Sequence, residues 1–246
     1  MTIRKPETAK DRIILALDVD TIEEVKKYVT LLKDYVGFFK VGLQLYTSCG
    51  FEAVKAIQDL GGEVFFDGKF HDIPNTVAKA SVNLLKHGIS FFDIHISGGS
   101  KMLTNTVKLV KETAKKNGMP IPTILGVTLL SSFGQRTLTE ELNVQMNIDE
   151  YVGYLAKIAK ESGIDGVMAS ASESKKIRQE FGEDFLIVCP AVRPTWSVVD
   201  DQVRVVTPTD AIKSGVDFMV IGRPVISADD PIAAIKLIID EIEENI

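Results

Sequence analysis

The sequence predicts an α/β chain folded as a single (β/α)8 TIM barrel, and three observations carry the prediction. Eight short β-rich runs alternate with amphipathic stretches from end to end, glycines stand where the amphipathic stretches stop, and several β runs are apolar almost without interruption. Strands are expected near 12–17, 37–41, 63–67, 91–96, 122–127, 165–169, 185–189 and 217–221. Helical periodicity follows each of them, at about 21–34, 43–60, 74–87, 101–117, 149–162, 172–181, 208–214 and 231–244. Gly61, Gly88, Gly118, Gly163, Gly182 and Gly215 take the positions that close helices. Runs such as Ile13-Ile14-Leu15-Ala16-Leu17 and Phe218-Met219-Val220-Ile221 have no polar face, as strands of a parallel sheet covered by helices require. Eight such units in about 250 residues match a barrel of parallel strands with its active site at the C-terminal strand ends. A doubly wound open sheet is the alternative, but it usually carries GxGxxG after its first strand, and Leu17-Asp18-Val19-Asp20 stands here instead.

The chain has 246 residues, 45% hydrophobic and 25% charged, with no proline-rich, serine-rich or low-complexity linker, so residues 1–246 read as one domain with a substantial core. A net charge of −6 without a basic run argues against a nucleic-acid partner and leaves room for a local basic pocket that holds a phosphate. Cys49 and Cys189 lack metal-ligand or CxxC spacing, which suits buried thiols in the cytoplasm. Met1 to Asp11 are polar and charged, and no stretch approaches the roughly 20 apolar residues of a membrane span, so a soluble, unexported protein with no membrane partner is expected.

The predicted strand ends carry, in order, Asp18, Lys40, Asp67 with Lys69, His95, Thr128, Ser170, Arg193 and Gly222-Arg223. The densest chemistry lies in Glu63-Val-Phe-Phe-Asp-Gly-Lys-Phe-His-Asp-Ile-Pro74. Side chains two apart on a strand share a face, so Asp67 and Lys69 are expected to project together, roughly 7 Å apart along the backbone. Asp72 falls just before Pro74, where the next helix starts. An ammonium between two carboxylates favours its charged form, which makes Lys69 a candidate proton donor. Asp-Gly between apolar residues is also a hairpin signal, but residues 74–87 continue with the helical pattern Val77, Ala78, Leu84 and Leu85 rather than a returning strand. Lys40, inside Phe38-Phe39-Lys40-Val41, must snorkel or find a partner, and Asp18 and Asp67 are the partners on offer.

After the eighth strand, Gly222 lets backbone N–H groups approach an anion and Arg223 offers a fork of donors, in the usual phosphate position of such barrels. The polar stretch Arg193 to Arg204 reads as a lid over that phosphate, with Trp196 assigned no role. The connection from Ser131 to Ile148 either covers the other end of a ligand or is a surface loop. His87 reads as structural at a helix end, and neither His71 nor His95 has a second ligand at metal spacing, so no metal site is assigned.

These residues match a known pattern. Asp67-Gly68-Lys69-Phe70-His71-Asp72-Ile73-Pro74, with Ala16-Leu17-Asp18, Lys40-Val41-Gly42, Pro190-Ala191-Val192-Arg193, Asp201-Gln202-Val203-Arg204 and Val220-Ile221-Gly222-Arg223, closely resembles the bacterial type of orotidine 5′-phosphate decarboxylase over essentially the whole chain. The resemblance implies a homodimeric barrel that converts orotidine 5′-phosphate to UMP and CO2 in pyrimidine synthesis without metal or organic cofactor. It implies Lys69 as proton donor, Asp67 beside it, and Lys40 completing the charged array. Asp72, Ile73 and Thr76 would reach the partner's site. Asp18 and Lys40 would hold the ribose, Ser131 the pyrimidine with Thr128 as its competitor, and Gln202, Gly222, Arg223 and Arg193 the phosphate. Two departures stand out: glycine is commoner at the position of Ala191, and a larger residue at that of Gly68. The rival readings are a metal-dependent sugar-phosphate aldolase or decarboxylase of the same superfamily, in which a carboxylate ligand is expected where Lys40 stands, and a catalytically silent phosphate-binding barrel.

Overall fold

The computed structural model describes residues 5–197 and 206–246. Eight parallel strands close on themselves in sequence order, β8 pairing with β1 through Ile14 opposite Val220. The elements run β1 (Ile13–Ala16), α1 (Ile22–Leu32), β2 (Phe38–Val41), α2 (Leu43–Cys49), α3 (Phe51–Asp59), β3 (Val64–Phe70), α4 (Pro74–Leu85) and β4 (Phe91–His95). They continue α5 (Ser100–Asn117), β5 (Thr123–Val127), α6 (Ile148–Glu161), β6 (Gly166–Met168), α7 (Ala171–Phe181), β7 (Leu186–Cys189), α8 (Pro208–Lys213), β8 (Phe218–Ile221), α9 (Arg223–Ile226) and α10 (Pro231–Glu243). The predicted (β/α)8 barrel is the observed fold.

Local chemistry starts and stops the helices. Thr21 with Glu24 and Asn147 with Glu150 form reciprocal capping boxes ahead of α1 and α6, satisfying N–H groups that have no partner inside the helix. Pro74, Pro208 and Pro231 stand in the first turns of α4, α8 and α10, where the missing N–H costs nothing. All six glycines read as helix stops have positive φ; Gly118, at φ 61, turns its N–H back to Ala114 and Lys115.

Three departures from the sequence reading matter. The stretch 43–60 is two helices, because Gly50 takes φ 58 and ψ −149 and breaks the hydrogen-bond ladder while the apolar periodicity carries on. The segment after β8 forms the short helix α9, four residues being too few to show a period. β3 runs on to Phe70 instead of ending at Asp67, and its register with β4 shifts between Phe66 and Phe70.

Strand alternation divides the core in two. One set of side chains packs between sheet and helices, and the other fills the barrel. Inside, Phe38, Phe65, Phe91 and Phe218 form an aromatic plug, with ring centroids of Phe38 and Phe91 at 4.6 Å and of Phe91 and Phe218 at 5.3 Å, both edge-to-face.

Candidate active site

The plug is the floor of the site. Two residues beyond Phe38, Phe65 and Phe91 on the same inward parity come Lys40, Asp67 and Asp93, and the same step leads from Ala16 to Asp18 and from Val220 to Gly222. Above it opens a cavity of about 290 Å³ lined by Asp18, Lys40, Asp67 and Lys69 together with Ser131, Arg193, Gly222 and Arg223. Apolar side chains, among them Val127, Met168 and Val220, complete the lining.

Within this lining, Lys40 Nζ lies 3.2 Å from Asp18 Oδ1 and 3.3 Å from Asp67 Oδ2. The second oxygen of Asp67 accepts a short hydrogen bond from Lys69 Nζ, so Asp67 is held between two ammonium groups. Burial alone raises the Asp67 carboxyl, but the charges of Lys40 and then Lys69 outweigh it and hold it at about 2. Burial lowers Lys40, and the opposing charges of Asp67 and Asp18 outweigh it, raising Lys40 above its ordinary value. Lys40 is therefore paired rather than snorkelling. The Lys69 side chain is 29% exposed against 10% for Lys40, which makes Lys69 the more accessible of the two ammonium groups.

Lys69 reaches that position through irregular backbone rather than simple alternation. It stands at φ 45, in the left-handed region, inside the register shift of β3. Gly68 permits this: a Cβ there would lie 2.5 Å from the Phe66 ring and 3.1 Å from that of Phe70. Beneath the bulge sits Asp93 on β4, fully buried, accepting the Lys69 backbone N–H at 2.8 Å. Its other oxygen is 3.9 Å from Lys69 Nζ. Burial and then the charge of Asp67 push the Asp93 carboxyl well above the usual carboxylate range.

Sequence reasoning missed Asp93 and assigned the second carboxylate beside Lys69 to Asp72. The signal was present: counting by two from the inward-facing Phe91 puts a carboxylate inside the barrel one strand away from Asp67. Asp72 is instead exposed, its Oδ1 accepting the Ile73 N–H at 2.6 Å. Ile73, 67% exposed, caps α4, and Thr76 lies exposed in its first turn. None of these three is among the described residues that line the cavity.

Ser131 also lines the cavity, while Thr128 is buried and donates its hydroxyl to the Met168 carbonyl at 2.8 Å. Arg193, 5% exposed, lines the same cavity as Gly222 and Arg223. Its loop turns at Ala191, which stands at φ 64 and explains why glycine suits that position. Gln202, Arg204 and most of the segment read as a lid lie outside the described residues. Trp196 is 47% exposed. Residues Thr137–Glu141 of the Ser131–Ile148 connection form a single π-helical turn anchored by the buried Leu138.

His71 and His95 stack with centroids 5.4 Å apart next to this network. Burial, then His71 and Lys69, lowers His95 to about 4. His87 stacks on Phe51 at 3.8 Å. Among the described residues no group of three or more His, Cys, Asp and Glu side chains is arranged to hold a metal, and no described helix is long and apolar enough to cross a membrane.

The chain is similar along its length to proteins of one kind. It is 46% identical over 236 residues to the orotidine 5′-phosphate decarboxylase of Geotalea daltonii, covering 96% of this chain and 98% of that one. It is 44% identical to that of Moorella thermoacetica, covering 96% and 93%. The crystal structure of orotidine 5′-phosphate decarboxylase from Lactobacillus acidophilus superposes with a TM-score of 0.82 at 36% identity, over 97% of this chain and 99% of the other. The profile of the Orotidine 5′-phosphate decarboxylase / HUMPS family matches residues 11–238, and the chain belongs to that family.

Proposed function

We propose that the chain is a carboxy-lyase that converts orotidine 5′-phosphate to UMP and CO2 in pyrimidine synthesis, with Lys69 as proton donor and no metal or organic cofactor. The observation that carries the reading is an accessible ammonium, fixed by Asp67, in one cavity with Arg193, Gly222 and Arg223.

That combination suits a phosphorylated nucleoside. Arg193 and Arg223 bind the phosphate with charge-assisted hydrogen bonds, Ser131 bonds the pyrimidine, and Asp18 and Lys40 hold the ribose. Gln202, from the segment beyond the described residues, joins the phosphate contacts. Loss of CO2 leaves an electron pair on the ring carbon that carried the carboxylate. A cation already aimed at that carbon stabilises the charge as it develops, with no reorganisation at the moment of reaction, and then delivers its proton. Asp67, ionised down to about 2, keeps Lys69 in place and sets a negative charge beside the departing carboxylate. The cation is the larger contributor.

The site is completed by a second copy of the chain, Asp72, Ile73 and Thr76 of each subunit reaching the other's cavity. The exposed apolar Ile73 beside Asp72 at the start of α4 supports this assembly. Free Cys49 and Cys189 suit the reducing cytoplasm. Against the metal-dependent rival, Lys40 already supplies a positive charge between Asp18 and Asp67, where a divalent ion would otherwise sit.

The test is spectroscopic. Purified protein with excess EDTA and no added cofactor is expected to discharge the ultraviolet absorbance of orotidine 5′-phosphate. Activity that disappears with EDTA and returns with a divalent metal would hand the site to the rival chemistry.

A further inference from the structure

Asp93 has no task in the reaction as described, yet its carboxyl is completely buried beneath the reactive lysine. Oδ1 accepts the backbone N–H of Lys69, the residue at φ 45. Oδ2 is buried with no described donor at hydrogen-bond distance, because the nearby Lys69 ammonium is bonded to Asp67. The carboxyl groups of Asp93 and Asp67 lie within hydrogen-bonding reach of each other. Two ionised carboxylates do not share such a contact; one proton turns the repulsion into an O–H···O bond. Asp67 is claimed by two lysines, so the proton belongs on Asp93. The other charged or titratable groups nearby are Lys69, Lys40 beyond Asp67, His95 two residues along β4, and His71 stacked upon it.

We propose that Asp93 is a positioning residue that works as a neutral acid, donating from Oδ2 to Asp67 while Oδ1 holds the Lys69 N–H, and so locks the bulge that aims the Lys69 ammonium. Its raised carboxyl agrees with this assignment. The effect on rate rests on the decarboxylase reading; the protonation state does not.

An asparagine reproduces both bonds, its carbonyl accepting from Lys69 and its amide donating to Asp67. Asp93→Asn is therefore expected to keep kcat within about threefold, whereas Asp93→Ala loses about 10²-fold in kcat with KM little changed, the cost of a misplaced group. Asp93→Asn also gives a readout independent of activity. An acid raised above its unfolded value of 3.8 makes the fold less stable as pH rises past that value, because only the unfolded chain ionises freely. Replacing it with a neutral amide should raise Tm by a few degrees near pH 7 and leave it unchanged near pH 4.

If Asp93→Asn loses as much kcat as Asp93→Ala, or melts lower than the parent near pH 7, the carboxyl acts as an anion and the proposal fails. A parent protein inactive on orotidine 5′-phosphate would sink the functional reading alone, and the Tm comparison would still decide the state of Asp93.

Discussion

Each end of the barrel buries an ion pair, and the two are built differently. At the end where the strands begin, Arg178 spends all five of its N–H donors: on the carbonyls of Gly182, Phe185 and, twice, Gly215, and on Asp217 at 2.6 Å. The same Asp217 oxygen accepts the Ile187 N–H at 2.8 Å. At the mouth, Lys69 stands in left-handed backbone and Asp93 Oδ2 has no described donor. A satisfied pair stitches β7, β8 and α7 together; at the mouth, a residue held in left-handed backbone turns its ammonium to the cavity. In barrels of this kind the mouth does chemistry and the opposite face supplies stability, and here the hydrogen bonds alone tell the two apart.

Mutations should separate the two ends. Lys69→Ala is expected to cost at least about 10³-fold in kcat while the circular dichroism spectrum and Tm stay near those of the parent, since both the proton and the electrostatic stabilisation go. Arg178→Ala should do the reverse. Leaving Asp217 buried and unpaired lowers unfolding free energy by about 3–5 kcal/mol in urea titration, with kcat per folded molecule unchanged. A large kcat loss in the Arg178 variant would erase the distinction.

Arg223→Ala sharpens it within the mouth. The variant should lose about 10²-fold in kcat/KM on orotidine 5′-phosphate and hardly any on phosphate-free orotidine, because binding energy at the phosphate drives closure over the reacting carbon. Equal losses on both substrates would remove Arg223 from phosphate binding.

His95 gives the mouth a pH signature. Its value of about 4 lies below the unfolded 6.5, so the unfolded chain takes up a proton that the fold refuses. The stability contributed by neutral His95 is fully present above pH 6.5 and is lost as pH falls through about 4. For this half-buried group the loss is on the order of 2 kcal/mol. His95→Gln should flatten the Tm profile across that window; an unchanged slope would show that another group titrates there. The smallest effect is expected at Ala191, whose φ of 64 strains a residue bearing a Cβ. Ala191→Gly should gain about 0.5–1 kcal/mol without loss of activity, and destabilisation would mean that the turn is not strained.

The legible parts of the sequence were those that repeat or violate a pattern. Eight apolar runs and six helix-closing glycines recur at regular intervals, and the barrel followed from them. Lys40 and Asp67 violate apolar strands and so announced themselves. Asp93 violates one equally, in Phe91-Phe92-Asp93-Ile94-His95, but its meaning depends on which face of β4 looks inward, and that is fixed only when Phe91 joins the plug. The break at Gly50 was hidden because Leu45, Ala53, Val54 and Ile57 keep their faces to the core on both sides of it. Asp67 and Lys69 do meet as expected, but through a bulge that strand periodicity cannot reveal. The parts proposed for Asp72, Ile73 and Thr76 require a second copy, a relation between chains that no single-chain periodicity encodes.

The most direct measurement of the Lys69 assignment runs the chemistry backwards from the product. A lysine that protonates the ring carbon must also remove that proton, so UMP incubated with the protein in D2O should take up deuterium at the carbon from which CO2 departs, and should take up none with Lys69→Ala. Equal exchange with both proteins would contradict Lys69 as the proton donor.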